Sequence, residues 1–348
     1  MASSLPLSKV VTQAAAGRGS LPRPLQATLN VTGRCNSRCA YCTYGNPNMQ
    51  HPDVPFDRLC TVIEGLAALG VRSLCLSGGE PLLHPGLVEI IQAAVSLGMV
   101  VTITTNGTLL DLATAQCLYT AGLSTLVLSF DSFENELYQQ VRGIPINKAW
   151  QHFQELQAYR HRAMCIPRVV VNIVLTRLIL DHLLAYIEAL CQWLLPEDRI
   201  MVQAYQPSPN LSPSDDPFRF MPSDRARLEE LCQSLITAQK CGIPIGNDAM
   251  FLARLPAFLA EGQMPVDYQC TIGYSTLYIK ENLDVHPCWQ LPPVGNLNHT
   301  TIAQLWHSPE YARARTRMLT LNCRKCALVC HSPEFLDTLA GLVGYEPF

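Results

Sequence analysis

Apolar and polar positions along this chain switch between two periods. Short β-branched or apolar runs at Gln26–Val31, Ser73–Ser77, Val100–Thr105, Thr125–Phe130, Val169–Leu175 and Ile200–Ala204 read as six strands. Between them, apolar residues recur at three- and four-residue spacing over Phe56–Leu69, Gly86–Leu97, Leu110–Ala121, Lys148–Arg162 and Asp181–Leu194, which predicts helices with one buried face. Strand–helix alternation of this kind implies consecutive βα units on a parallel sheet. Six units fall short of the eight that close a full barrel, so the expected fold class is α/β, a partial (β/α)6 TIM-type barrel. The stretch Gln206–Pro222, rich in Pro, Ser and Asp, reads as a loop before a further helix at Ser223–Lys240. Past Gly242 the pattern changes to a hairpin, with Tyr278–Lys280, the turn residues Glu281 and Asn282, and Leu283–His286. Short helices at Ala303–His307 and Tyr311–Leu319 and a group of cysteines follow. The expected organisation is a disordered tail over 1–24, a core over 25–241 and a small C-terminal domain of hairpin plus helices over 242–348.

Composition narrows the class. A chain of 348 residues with 48% hydrophobic residues has material for a large core. A formal net charge of −3, with Lys and Arg scattered, gives no reason to expect a nucleic-acid partner. No apolar run reaches the length of a bilayer span and the start lacks a continuous signal core, so neither membrane insertion nor secretion is expected, and the expected location is the cytoplasm. The segment before Asp53 has no acidic residue but carries Lys9, Arg18, Arg23, Arg34 and Arg38, which also fits an organelle transit peptide. Fifteen cysteines in so apolar a chain point to a reducing compartment rather than a disulfide scaffold. Seven of them, Cys60, Cys75, Cys117, Cys165, Cys191, Cys232 and Cys241, sit in apolar periodic segments and read as small core residues. The remaining eight form two groups.

Directly after the first strand comes Cys35-Asn36-Ser37-Arg38-Cys39-Ala40-Tyr41-Cys42. Three closely spaced thiolates can converge on one [4Fe–4S] cluster and leave one iron without a protein ligand. A structural zinc site is the alternative, although it asks for a fourth nearby Cys or His and only His51 follows. This C-x3-C-x-aromatic-C loop resembles the hallmark of the radical S-adenosylmethionine superfamily. The resemblance continues at independent positions. Gly78-Gly79-Glu80-Pro81 after the second strand looks like the segment that binds the methionyl amino group; Asn106-Gly107 ends the third strand; Ser129-Phe130-Asp131 ends the fourth, followed by Arg142-Gly143. The resemblance implies that Tyr41 lies on the adenine side, that Ser129 and Asp131 lie near the ribose or carboxylate, and that Arg142 is in reach of the carboxylate. Asn172 and Gln203 on the fifth and sixth strands are expected to face the same pocket.

The second group is Cys270, Cys288, Cys323, Cys326 and Cys330. With His286-Pro287-Cys288, Gly295-Asn296-Leu297 and Leu305-Trp306 it is similar to the auxiliary-cluster extension of radical enzymes, SPASM in its long form and Twitch in its short one. The short form implies one further [4Fe–4S] cluster on Cys270, Cys288, Cys323 and Cys326, with Cys330 as a substitute ligand. A four-cysteine zinc ribbon is the alternative by spacing.

Taken together, the resemblance implies an oxidoreductase or maturase that reductively cleaves S-adenosylmethionine to a 5′-deoxyadenosyl radical and abstracts hydrogen from a substrate carbon. It also implies a reducing partner such as flavodoxin or ferredoxin. An auxiliary cluster suits a net oxidation or cross-link in a peptide or protein. A dehydrogenase or dehydratase of a small sugar-like metabolite is the competing enzyme reading, and a two-cluster electron carrier the reading from another class. Asp131, Asp248, Asp267, His286 and His299 are the candidate bases.

Overall fold

The computed structural model describes residues 6–46, 48, 51–162, 168–207, 212, 214–264, 268, 270–321, 326–327 and 333–347. Six βα-type strands run β1 (Gln26–Thr32), β2 (Ser73–Gly78), β3 (Val100–Thr105), β4 (Thr125–Ser129), β5 (Arg168–Leu175) and β6 (Arg199–Ala204), each parallel to the next. Three more strands follow, β7 (Thr276–Ile279), β8 (Asp284–His286) and β9 (Gly295–Asn296). All nine belong to one sheet in the order β6-β5-β4-β3-β2-β1-β7-β8-β9. The C-terminal hairpin is therefore built onto the barrel. β7 pairs in parallel with β1, from Gln26 opposite Thr276 to Leu29 opposite Ile279, before the chain turns into antiparallel β8.

Successive strand residues point to opposite faces, and the sequence uses this to make one apolar and one polar face. Leu29, Leu76, Ile103, Leu128, Val171 and Val202 are fully buried under the helices. Thr28, Ser77, Thr104, Asn172 and Gln203 occupy the inner face and are only half-buried. The outer layer comprises α2 (Phe56–Leu69), α3 (Leu87–Ser96), α4 (Leu112–Thr120), α5 (Asn135–Arg142), α6 (Asn147–Arg160), α7 (Leu183–Cys191) and α8 (Arg225–Lys240). In α2 the buried residues Leu59, Val62, Ile63 and Leu66 form one stripe, and Gly70, at φ 102°, ends the helix. Asp111 caps α4 through the Thr114 N–H.

Several expectations change. The stretch expected as a disordered tail contains α1 (Leu7–Ala15), whose Leu7, Val10 and Val11 pack with Leu25 and Leu336. Asp337 of α12 (Pro333–Leu342) accepts hydrogen bonds from Ser8 N at 2.7 Å and Ser8 Oγ at 2.6 Å. An amphipathic stripe of three residues is too short a signal when its partner lies at the other end of the chain. Past Gly242 the chain stays with the core: Ile245 bridges Ile200 of β6, and α9 (Ala249–Glu261) packs on α8. Of the seven cysteines read as core filler, Cys232 alone is buried among the described residues; Cys117 and Cys241 are exposed, and Cys75 lies on the inner face beside Thr104. Cys165 is outside the described residues. No helix of the described residues is long and apolar enough to cross a membrane.

One buried carboxylate ties the far edge of the sheet together. Asp198 and Arg160 are both fully buried at the side chain and meet at 2.6 Å and 2.8 Å, and Asp198 also accepts from Gln157, Leu195 N and Val169 N. Replacing Asp198 with Ala takes the buried counter-charge from Arg160, leaving the half-exposed Glu197 at 3.4 Å, and strands three further donors; removing one partner of a buried pair typically costs about 3–5 kcal/mol. Urea denaturation of the Asp198→Ala variant should show a loss of that order. A loss below about 1 kcal/mol, the range of surface pairs, would contradict this role.

Candidate active site

The loop after β1 carries Cys35, Cys39 and Cys42, and it is held from three sides by the ends of neighbouring strands. From β2, Gly79 N donates to Thr32 O at 2.9 Å and Glu80 N to Arg34 O at 2.7 Å. A Cβ on Gly79 would lie 2.0 Å from Arg34 O, so only glycine permits this approach. From β3, Asn106 Nδ2 donates to Asn36 Oδ1 at 2.7 Å, while Asn36 Nδ2 donates to Thr108 Oγ1 at 2.8 Å. From the end of α5, Arg142 O and Val141 O accept from Arg38 N and Ala40 N, each at 3.0 Å. Gly143, at φ 68°, lies so close to Arg38 that a Cβ would sit 2.5 Å from its carbonyl oxygen.

The charges around the loop are buried and paired. Arg142 donates from Nε to Asp131 Oδ2 at 2.6 Å and from Nη2 to Oδ1 at 3.0 Å, and its Nη1 lies 3.8 Å from Cys39 Sγ. Asp131 also accepts from Tyr41 Oη at 3.1 Å and Val174 N at 2.9 Å. Arg142 and Asp131, expected beside the cofactor, bind each other through two charge-assisted hydrogen bonds and hold the loop. Tyr41, expected against the adenine, is seated edge-on to Tyr205 at 6.0 Å and Phe218 at 6.3 Å. Asn106 is likewise engaged within the protein, its Oδ1 accepting from Thr108.

Glu80 is buried, and its carboxylate accepts from Thr105 Oγ1 at 2.6 Å, Asn106 N at 2.8 Å and Leu82 N at 3.2 Å. Burial pushes its carboxyl up to about 7, against the three hydrogen bonds that lower it. Ser129 and Asn172 are cross-strand neighbours on the inner face, and neither side chain makes a hydrogen bond among the described residues. They are polar groups with capacity to spare.

Three thiols on one short loop are the donor set that ligates a [4Fe–4S] cluster. Burial raises Cys35 to about 12 and also raises Cys39, where the Arg142 guanidinium works in the opposite direction. Such thiols need a positive partner to ionise, and cluster iron supplies one. Among the described residues no three His, Cys, Asp or Glu side chains converge on a point as they would around a single metal ion. In the C-terminal part, Cys270 and Cys288 are buried in one apolar cluster with Ile272, Tyr278, Leu291 and Met318. Cys326 is half-buried. Cys323 and Cys330 lie outside the described residues, as does Asp267.

Of the other candidate bases, Asp248 caps α9 through Phe251 N at 2.6 Å, with its buried Oδ2 unpartnered among the described residues, and His299 is exposed. His286 differs. Its Nδ1 faces Leu291 O at 3.0 Å, which assigns the proton to Nδ1, and its buried Nε2 has no partner among the described residues. His286 lines a small cleft of about 10 Å³, room for about one water molecule, with Thr28, Asn30, Tyr278, Lys280 and Trp289. The sequence reading missed a buried cluster at its rim: Asn30 Nδ2 donates to Tyr44 Oη at 2.7 Å and to Glu281 Oε2 at 3.2 Å, and Tyr44 donates to Glu281 at 2.5 Å. Glu281 in a Lys-Glu-Asn turn looks like a solvated residue, and no local signal marks it otherwise.

A family model described as the radical SAM superfamily matches residues 29–188, and one described as an iron–sulfur cluster-binding domain, SPASM, matches residues 270–327. The GTP 3′,8-cyclase of Limosilactobacillus fermentum is 34% identical over 158 residues, 43% of this chain and 45% of that protein. The probable GTP 3′,8-cyclase of Methanothermobacter thermautotrophicus is 39% identical over 124 residues, 34% of this chain and 39% of the relative. The chain thus spans less than half the length of the curated relatives it matches. Among solved structures, Streptococcus suis SuiB bound to precursor peptide SuiA is similar over 88% of this chain and 70% of that one, with a TM-score of 0.67 at 18% identity. Native anSMEcpe with bound AdoMet and the Cp18Cys peptide is similar over 92% of this chain and 97% of that one, with a TM-score of 0.63 at 17% identity. At these identities the likeness is one of fold. The two matched domains fall on the two cysteine groups, so this chain is an enzyme that carries a radical SAM domain, which implies a [4Fe–4S] cluster and S-adenosylmethionine, and a C-terminal SPASM domain, which implies auxiliary iron–sulfur clusters.

Proposed function

We propose that the chain carries out a net oxidation or cross-link on a peptide or protein substrate. In this reading Cys35, Cys39 and Cys42 hold the catalytic [4Fe–4S] cluster, and Cys270, Cys288, Cys326 and Cys323, or Cys330 in its place, hold the auxiliary one. The observation that carries the reading is the pairing of β7 with β1, which sets the SPASM hairpin directly against the radical domain. A small cleft marks the seam on the polar inner face, where Thr28 and Asn30 of the radical domain meet Tyr278, Lys280 and His286 of the hairpin. Two cysteine groups on domains joined in one sheet suit hydrogen abstraction at one and electron removal at the other. Trp289, exposed at 49% and 5.2 Å from the Tyr278 ring, gives the cleft an open aromatic edge suited to a chain-like substrate. The peptides bound by SuiB and anSMEcpe support the same substrate class. A small polar metabolite is the second reading, supported by the cyclases' higher identity over part of the chain.

When bound, the catalytic cluster and S-adenosylmethionine supply a carbon radical able to take hydrogen from an unactivated carbon. The protein's residues position and shield. The Arg142–Asp131 pair fixes the cysteine loop without a flexible surface contact. Glu80, held by three donors, keeps lone pairs for an ammonium group, while Ser129 and Asn172 offer uncommitted polar atoms for a ribose or carboxylate. Tyr41, Tyr205 and Phe218 wall one side against water. In the cleft, His286 Nε2 accepts a hydrogen bond from a substrate N–H or O–H, and Lys280 meets a carbonyl or carboxylate.

Two measurements check this. Anaerobic reconstitution should give about eight iron atoms per chain if both sites hold [4Fe–4S] clusters, and about four in the Cys35→Ala, Cys39→Ala, Cys42→Ala triple variant. That variant should also lose all reductive cleavage of S-adenosylmethionine. About four iron and one zinc in the unmodified chain would instead establish the zinc-ribbon alternative, and undiminished cleavage in the triple variant would sink the cluster assignment. Glu80→Gln keeps the shape but removes the charge, and hydrogen bonds to charged groups are worth about 1.5–3 kcal/mol. Equilibrium dialysis should therefore show roughly 10- to 100-fold weaker binding of S-adenosylmethionine; unchanged affinity would remove Glu80 from the site.

A further inference from the structure

We propose that Arg315 is the internal counter-charge of the auxiliary cysteine site and raises the reduction potential of the cluster held there. The proposal rests on the auxiliary-cluster reading above. Arg315 lies on α11 (Pro309–Leu319), which follows α10 (Ile302–Trp306), and is 5% exposed. Its guanidinium is enclosed by aromatic rings: the carbon lies 4.3 Å from the ring centroids of both Trp306 and Tyr311, and 5.5 Å from that of Tyr274. Its hydrogen bonds go to neutral acceptors, from Nε to Gly273 O and from Nη2 to Trp306 O, each at 2.9 Å. No carboxylate pairs with it among the described residues. Burying a cation with only π-faces and carbonyls for company is costly. Elsewhere in this chain the buried guanidiniums of Arg142 and Arg160 each have an aspartate.

The residues around Arg315 lead to the cysteine pair. Its neighbours on α11, Ala314 and Met318, belong to the same apolar cluster as Cys270 and Cys288. Gly273, which it grips, is three residues past Cys270, and the approach is close enough that a Cβ there would meet Met318 Cε at 2.2 Å and Arg315 Cγ at 3.3 Å. Tyr311, stacked on the guanidinium, is within electrostatic range of Cys288. A cluster ligated by thiolates carries net negative charge, and that charge grows by one when the cluster accepts an electron. A fixed cation in a low-dielectric wall stabilises both states, and the reduced one more. Arg315 thereby makes the auxiliary site a better acceptor for the electron that an oxidised substrate gives up. It acts through the cluster and touches no substrate, so it is a positioning residue for charge.

The test is an anaerobic redox titration of the reconstituted holoenzyme with dithionite, followed by electron paramagnetic resonance, with the catalytic cluster as internal reference. Arg315→Gln removes the charge and keeps a hydrogen-bonding head; its auxiliary potential should move to more negative values while the catalytic potential stays in place. Arg315→His leaves a titratable cation at the same place, so its auxiliary potential should fall as the pH is raised through the imidazole range while that of the unmodified chain changes less. This second variant decides the matter if Arg315→Gln does not fold. A strut with no electrostatic role would leave the potential unmoved in a folded variant, and that result overturns the proposal while sparing the auxiliary-cluster reading. An unmodified chain with no second redox-active cluster overturns both.

Discussion

The parallel pairing of β7 with β1 is the contact on which the rest of this molecule depends. It adds a seventh parallel strand from more than 200 residues away in sequence, and its four register pairs place Lys280 and Glu281 at the active end of β1. Without it the two cysteine groups would sit on separate bodies. With it, the inner polar face runs without interruption from Asn172 on β5 to His286 on β8. The cleft is a consequence of that continuity, because the hairpin turn at Glu281 brings its carboxylate onto Asn30 and Tyr44 and closes the rim.

The cysteine loop illustrates how an irregular segment is made rigid. Its backbone groups are satisfied by neighbouring strand ends rather than by the loop itself, so buried N–H and C=O groups on both partners find each other. That docking requires near-contact of two backbones, which is why Gly79 and Gly143 flank it. The Gly-Gly-Glu run therefore has a structural task in addition to any contact with a cofactor. The Arg142–Asp131 pair does for side chains what the glycines do for backbone: it joins β4, β5, α5 and the loop at one point, under full burial, where a broken pair would be expensive.

Charge is distributed in this protein according to who supplies the partner. Arg142 and Arg160 are answered by aspartates in the protein, while Arg315 and the inner-face groups Ser129, Asn172, Lys280 and His286 Nε2 are left for something else. The outer shell, by contrast, follows ordinary rules: apolar stripes on helices, caps at Asp111 and Asp248, and glycine at helix ends.

The sequence by itself determined the alternation of strands and helices over the core, the hairpin, and the two cysteine groups, because periodicity and spacing are local properties. It located the loop of Cys35, Cys39 and Cys42 and the motifs on successive strand ends, because a parallel barrel necessarily gathers those ends. It missed α1, since a short amphipathic stripe is decided by its partner α12, and it misjudged Cys75, Cys117 and Cys241, since an apolar neighbourhood in sequence does not say which side of a strand or helix a residue takes. It expected Arg142, Asp131 and Tyr41 beside the cofactor, and the structure adds that they bind one another. Asn30, Tyr44, Glu281 and Arg315 carried no signal at all. Their roles come from burial and from partners far away in the chain, and the cost of burying charge is settled only when the tertiary fold brings those partners together.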